Sequence, residues 1–321
     1  MPDTRKIRIA VAVLALMHAA VVFAGFLAPY DYAEQHRSYP YAPPTRIHLG
    51  PRPFVYGLAS DPGTGEYRDD RTRQYPIRFL TAGRLFGVDR GGVVFLFGAD
   101  GYGRDVFSRV LYGGRVSLAT GMVATFLALA IGWSIGLAAG FFGGWLDRVM
   151  MRGGELFLAL PWLYLLLAVR AFLPLHISPM QAFFLLVAII GSVGWVRPAR
   201  LVRGQVLSLR ERPYVEAARA FGARPLYLIR LHVLPDTVPL LVTQATVLIP
   251  QYILAEVTLS FLGLGVGEPV PSWGGMLAEA RQYHTLVSHA WMLAPGLATF
   301  GLLLGYLFLA DLLLENSSSK V

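Results

Sequence analysis

The 321-residue sequence contains no cysteine, which excludes disulfides, thiolate metal sites and cysteine nucleophiles. Lysine is nearly missing as well: of 28 basic residues, only Lys6 and Lys320 are lysines. A Walker-type phosphate loop requires GK[ST], and neither lysine stands in that context, so the chain cannot itself be an ATPase of that class. HExxH and GxSxG are missing too, and the seven histidines are scattered. His284 and His289 lie five residues apart and share no helix face, so they give no metal pair. No catalytic residue, no metal ligand and no bound cofactor is expected in this chain. Charge is also scarce, at 15% of residues, where a soluble domain carries about 25%.

Hydrophobic residues make up 55% of the chain, more than one soluble core of this length would bury. A membrane-spanning helix needs about 20 mostly apolar residues. Six stretches qualify: 9–28, 116–142, 156–173, 180–196, 238–262 and 291–314. The fold expected is an all-α polytopic membrane protein. The first stretch follows Arg5, Lys6 and Arg8 and exceeds the roughly 7–15 apolar residues of a signal peptide, so it reads as a retained anchor. The basic tip places the N-terminus in the cytoplasm, and six spans return the C-terminus there. Segment 197–237 then faces the cytoplasm and holds eight arginines against three acids, while the outside segment 263–290 holds one arginine, as the positive-inside rule requires.

The division expected is a cytoplasmic tip and first span over 1–28, an outer segment over 29–115, a five-helix core over 116–314 with cytoplasmic segment 197–237, and a tail over 315–321. The outer segment is rich in Pro, Gly, Tyr, Arg and Asp. Within it 52–58, 75–81 and 93–97 read as strands, with turn chemistry at Asp61-Pro62-Gly63-Thr64-Gly65.

At membrane depth, Gly132, Gly136 and Gly140 recur every fourth residue and present one bare helix face, suited to another helix of this chain or of a partner subunit. Pro250 removes a backbone hydrogen bond inside the fifth span. Glu256 is an acid near the outer end of that span, which makes it a functional candidate, against the plainer reading of a hydrated or capped carboxylate. Arg170 ends the third span and snorkels outward. Other ionisable groups in the spans are few, which argues against a proton- or sodium-coupled carrier.

Residues 208–236, SLRERPYVEAARAFGARPLYLIRLHVLPD, are the most informative. Pro213 suits the first turn of a helix and Gly222 its C-terminal stop. Pro225 opens a second short helix, which Pro235 ends. An apolar strip of Val215, Ala218 and Phe221 on such a helix fits a groove in another protein or the lipid headgroups equally well.

Glu216-Ala217-Ala218, three residues, Gly222, then Leu234-Pro235 resembles the EAA loop of permeases of binding-protein-dependent ABC importers, and Arg230-x-His232-x-Leu234-Pro235 resembles their dipeptide/oligopeptide branch. Three further segments are similar to that branch: Gly98 to Arg109, which includes Asp100, Gly103, Arg104 and Asp105; Gly143 to Asp147 with Met151-Arg152; and Ala255 to Gly265, which includes Glu256 and Ser260, followed by Pro271-Ser272-Trp273-Gly274. The resemblance implies the type I importer permease fold in a bacterial inner membrane. It implies a heterodimer with a second, homologous permease, two cytoplasmic ATP-binding subunits that hold ATP and Mg, and a periplasmic or lipid-anchored substrate-binding protein. Membrane lipid is the remaining partner, and no nucleic acid is implied. The cargo implied is peptides or similar small solutes. Tyr214, Glu216, Ala217, Ala218, Phe221, Gly222 and Pro235 are the implied ATPase-coupling residues. Pro250, Glu256 and Ser260 are candidates for the translocation pathway. The alternative is a channel or secondary carrier that works without ATPases.

The sequence departs from the family pattern in three places. Pro43 to Gly50 is separated from Ala99-Asp100 by 51–97, which reads as a periplasmic insertion. Asp236 stands where the family has Asn. The end, Ala310-Asp311-Leu312-Leu313-Leu314-Glu315-Asn316, differs from the family's G-D-x-L-R-D-x-L-D-P. The insertion is expected to contact the binding protein or to shield the pore mouth. Deleting 51–97 should therefore lower transport or binding-protein affinity, and a deletion variant equal to the parent in both assays would reject this role.

Overall fold

The computed structural model describes the backbone of residues 4–61, 63, 66–89, 91–159, 161–171 and 178–318. In chain order the elements are α1 (Thr4–Val22), α2 (Ala24–Leu27), β1 (Phe54–Ser60), β2 (Tyr67–Thr81), β3 (Arg84–Val88), α3 (Val106–Phe142), α4 (Gly144–Ala159), α5 (Trp162–Ala171), α6 (Pro179–Val193), α7 (Val196–Leu209), α8 (Pro213–Ala220), α9 (Pro225–Leu228), α10 (Leu234–Phe261), α11 (Trp273–Glu279), α12 (Tyr283–Ser288) and α13 (Ala294–Ser318). Among the described residues, four continuous helical stretches are long and apolar enough to cross a membrane: Val106–Phe142, Pro179–Leu209, Pro225–Phe261 and Ala290–Glu315. The first expected span is divided between α1 and α2 by a break at Phe23. The third, 156–173, is split between α4 and α5, and its residues Leu160, Phe172 and Leu173 lie outside the described residues, as does the side chain of Arg170.

The central strut is α3. Its N-cap is Asp105, whose carboxylate accepts from the Ser108 amide, and its last turn closes at Gly143 with φ 65°. The glycine stripe faces α7 within the same chain. A Cβ at Gly132 would stand 2.7 Å from the Trp195 carbonyl, one at Gly136 would stand 2.6 Å from the Ala199 carbonyl, and one at Gly140 would stand 2.8 Å from Val206 Cβ. The bare face thus lets α7 lie directly on α3. Residues 197–209, at the start of the basic segment expected to be a loop, are helical for this reason: Ala199, Val202 and Val206 are buried against the stripe. Arg203 makes a bidentate ion pair with Asp147 of α4, with Nη2 at 2.6 Å from Oδ2. Arg210 donates to the carbonyls of Gly140 and Phe141 at the end of α3.

On its other sides α3 meets α6 and α10, with Ala124, Ala128, Leu186, Ile190, Tyr252 and Leu259 forming one core. A second core joins α1 to α13 through Leu14, Leu302 and Tyr306. Within it His18 bonds the Leu14 carbonyl at 2.8 Å and the Tyr306 hydroxyl at 3.1 Å.

The segment between α2 and α3 carries one antiparallel sheet in the order β1-β2-β3. Phe54 pairs with Pro76 and Ser60 with Tyr67, with a register shift between Tyr56 and Gly57, and Ile77 pairs with Val88. Pro62, Thr64 and Gly65 of the expected turn lie outside the described residues. The third strand is Arg84–Val88 and not 93–97. Val93, Val94 and Phe95 are buried, but side chains meet their amides: Val94 donates to the Tyr30 hydroxyl at 2.9 Å and Phe95 to Thr45 Oγ1 at 3.0 Å. That segment therefore has partners without joining a ladder.

Leucine at Gly136 would drive a side chain into the Ala199 carbonyl and Val202. Overpacking of this kind costs about 1–3 kcal/mol. Gly136→Leu should lower the thermal unfolding midpoint of the purified protein, and an unchanged midpoint would show that α7 is not held on this stripe.

Candidate functional site

Two clusters of polar or exposed groups stand at opposite ends of the helical core. The first is the elbow between α7 and α10. Pro213 opens α8, where its missing N–H costs nothing. The helix ends at Gly222 (φ 84°), with the Gly222 amide on the Arg219 carbonyl and the Ala223 amide on the Ala218 carbonyl, which is a Schellman closure. Val215 is buried and fixes α8 to the body, while Tyr214, Glu216, Ala217 and Phe221 face outward. Phe221 is 92% exposed. A concavity of about 450 Å³ is lined by Ala218, Phe221, Gly222, Ala223, Arg224 and Tyr227.

Pro235 does not end the helix that Pro225 begins. Instead α9 runs through a π-helical turn, Ile229–Val233, into α10, with the Leu234 amide bonding the Ile229 carbonyl. The wider turn lets a proline enter without the i−4 pairing it cannot supply. Tyr214 donates to Asp236 at 3.1 Å, and Gln205 Nε2 donates to the Asp236 carbonyl at 2.6 Å, so α8 and α7 are both tied to the first turn of α10. Trp133 of α3 donates to Thr237 at 2.9 Å.

The second cluster lies at the far end of α3. Asp100, Arg104, Asp105 and Arg109 are all nearly inaccessible. Gly103 has φ 73°, and a Cβ there would collide with the His36 carbonyl, so no other residue fits. Asp100 accepts from the amides of Tyr102 and Arg104 and from Arg104 Nε at 2.6 Å. Arg104 and Arg109 then meet two acids of the 263–290 segment. Arg104 Nη1 is 2.6 Å from Glu268, Arg109 Nη2 is 2.9 Å from Glu268, and both arginines reach Glu279, at 3.1 and 3.2 Å. Sequence reasoning missed Glu268, Glu279 and the role of Arg109; the arginine's place one turn into a helix that is otherwise mostly apolar was the available signal.

Burial pushes Glu279 up to about 7, against the pull of Arg109 and Arg104. Burial acts the same way on Glu268, but there the two arginines prevail and hold it below the usual range. Burial also pushes Asp105 up to about 7, against its hydrogen bonds from Ser108.

A cavity of about 370 Å³ opens beside this network, lined in part by Tyr102, Arg109, Ser260, Glu268, Ser272 and Glu279. Below it Glu256 is fully buried and accepts from Ser260 at 2.6 Å. Its Oε1 is thus capped by a hydroxyl of α10, one turn further on, while Oε2 is buried without a hydrogen-bond partner. Pro250 lies deeper in α10, also buried. Thus Glu256 and Ser260 are brought together and Pro250 is not. The coupling candidates gather at one end of α10, and Asp100, Gly103, Arg104 and Asp105 gather at the other.

Residues 128–319 match the family profile of the binding-protein-dependent transport system inner membrane component. The chain belongs to this family. It is a multi-pass inner-membrane permease of the ABC importer class, mostly helical with a small added sheet. The glutathione transport system permease protein GsiD of Pectobacterium atrosepticum (strain SCRI 1043) is 38% identical to it over 224 residues, 70% of this chain and 72% of that protein. The protein of the same name from Escherichia coli O6:K15:H31 (strain 536) is 40% identical over 225 residues, with the same coverage. An inward-facing structure of the MetNI methionine ABC transporter aligns with 64% of this chain and 97% of its own, at 21% identity and a TM-score of 0.43.

Glu279 and Asp105 bind a proton more tightly in the folded permease than in the unfolded chain. The folded state therefore holds the extra protons between the ordinary carboxylate range and about pH 7, and its stability falls as pH rises through that window. The unfolding midpoint should drop from pH 5 to pH 7, and Glu279→Gln should flatten the slope. A variant with the parent's slope would show that Glu279 titrates normally.

Proposed function

We propose that this permease forms half of a translocation pathway for peptides or similar small solutes. It pairs with a second, homologous permease, rests on two cytoplasmic ATP-binding subunits that hydrolyse ATP with Mg, and receives cargo from a binding protein outside the membrane. Both termini lie in the cytoplasm, and residues 29–115 lie outside. The glutathione permeases similar to it favour a short-peptide cargo.

The observation that carries this reading is the elbow. An exposed aromatic, Phe221, and two small residues, Ala217 and Ala218, stand on a short helix that is tied to α10. A groove in an ATPase would accept this helix with little cost in ordering, because Val215 and the closure at Gly222 already hold its shape. Movement of the ATPases would then be transmitted to α10 through Tyr214 and the π-helical turn. Tyr214, Glu216, Ala217, Ala218, Phe221 and Gly222 carry the contact, and Pro235 sits at the start of the transmitting helix. Residues near Glu256 and Ser260 respond at its far end.

Gly222→Val tests this. Its φ of 84° disfavours a β-branched residue, but open space surrounds it, so the change distorts the elbow and leaves the core alone. In the assembled transporter the variant should lose cargo-stimulated ATP hydrolysis by about tenfold or more, the scale of a single lost docking contact of roughly 1.4 kcal/mol, while still assembling in the membrane. Normal stimulated hydrolysis would refute the coupling role.

A further inference from the structure

We propose that the tip of the β2–β3 hairpin, centred on Phe79 and Leu80, is a membrane-interface anchor that rests in the outer-leaflet headgroup region beside the end of α1 and α2. The lipid contact rests on the structure; that it is the outer leaflet rests on the orientation proposed above.

Phe79 and Leu80 are 61% and 73% exposed, adjacent at the end of a strand whose outer half, Arg68 to Arg73, is mostly charged. Leu80 has φ 52° and Ala82 φ 51°, left-handed values that a branched residue such as leucine rarely adopts. The sheet thus holds a large apolar side chain out at some conformational cost, and water gives no return for it.

The position of the hairpin identifies the occupant. Strand β3 packs on α2, and Arg84 donates to the Pro29 carbonyl immediately beyond α2. Residues 9–27 form the first apolar run of the chain, and about 19 helical residues bring it from Arg8 to the opposite interface. Val22, Phe23 and Phe26 at that end are themselves exposed and apolar. The tip therefore continues a lipid-facing surface and does not begin a separate one. The hairpin sits at the level where Arg115 of α3 donates to the carbonyls of Val21 and Val22 and stacks on Tyr112, an aromatic and cationic belt of interfacial type.

Because the sequence has no cysteine, a single introduced cysteine labels uniquely. Phe79→Cys, Leu80→Cys and, as a control on the exposed half of β2, Arg71→Cys are each made in the full chain, reconstituted in vesicles and labelled with a fluorophore. Lipids carrying a nitroxide near the headgroup, or deep in the acyl chain, serve as quenchers. An apolar tip seated about 5–10 Å into the boundary should lose at least about half its fluorescence to the shallow quencher, with Arg71→Cys unchanged. No quenching at either 79 or 80 overturns the proposal. So does quenching by the deep lipid alone, or loss of lipid quenching once a binding protein is added, which would make that protein the occupant. A membrane-impermeant maleimide applied outside cells tests the orientation separately. Failure to label Arg71→Cys there would refute the outward orientation and hence the outer leaflet, while the quenching result would still report whether the tip touches lipid.

Discussion

The close approach of α3 and α7 is the constraint on which the remainder of the molecule depends. In lipid no hydrophobic force drives helices together, so contact rests on fit and on satisfied polar groups. Three glycines supply the fit, and Arg203 with Asp147 and Arg210 with the last carbonyls of α3 supply the polar closure. Once α7 lies on α3, its C-terminal end fixes where α8 begins. The Gln205 contact to Asp236 then sets where α10 begins. Side chains at the elbow are positioned by backbones some distance away.

The two ends of α10 differ in their physics. At the elbow the chain exposes apolar surface and satisfies its backbone locally, through a Schellman closure and a π-helical turn. At the other end it buries charge. Two arginines and three carboxylates share one site, and removing a carboxylate is costly because Arg104 and Arg109 remain buried. The first surface leaves Phe221 exposed on a short, pre-shaped helix, while the second holds its two arginines buried among carboxylates of its own chain.

Much of this was legible in the sequence where the signal is local. The four-residue glycine repeat, Pro213 with Gly222 nine positions on, and the long apolar runs all encode geometry within a few turns. What escaped was held by distance or by exchanged partners. Arg104 meets Glu268 across 164 residues and Arg109 meets Glu279 across 170, so no window reveals the pairing. Val93–Phe97 has a strand's composition, yet Tyr30 and Thr45 take its amides and Arg84–Val88 fills the ladder. Pro235 looks like a helix end, but a π-helical turn absorbs it. Residues 197–209 carry loop-like charge on one face and a buried aliphatic stripe on the other, and the stripe decides their structure.

The π-helical turn at Ile229–Val233 has a consequence for how this region tolerates change in length. A turn of that kind holds one residue more than an α-helical turn, so losing one residue there returns α9 and α10 to a plain helix with their faces still aligned. Losing one residue elsewhere along α10 rotates everything beyond it by about 100°, which would carry Glu256 out of its buried site. The same helix therefore has one place where its length is negotiable and a long run where it is not.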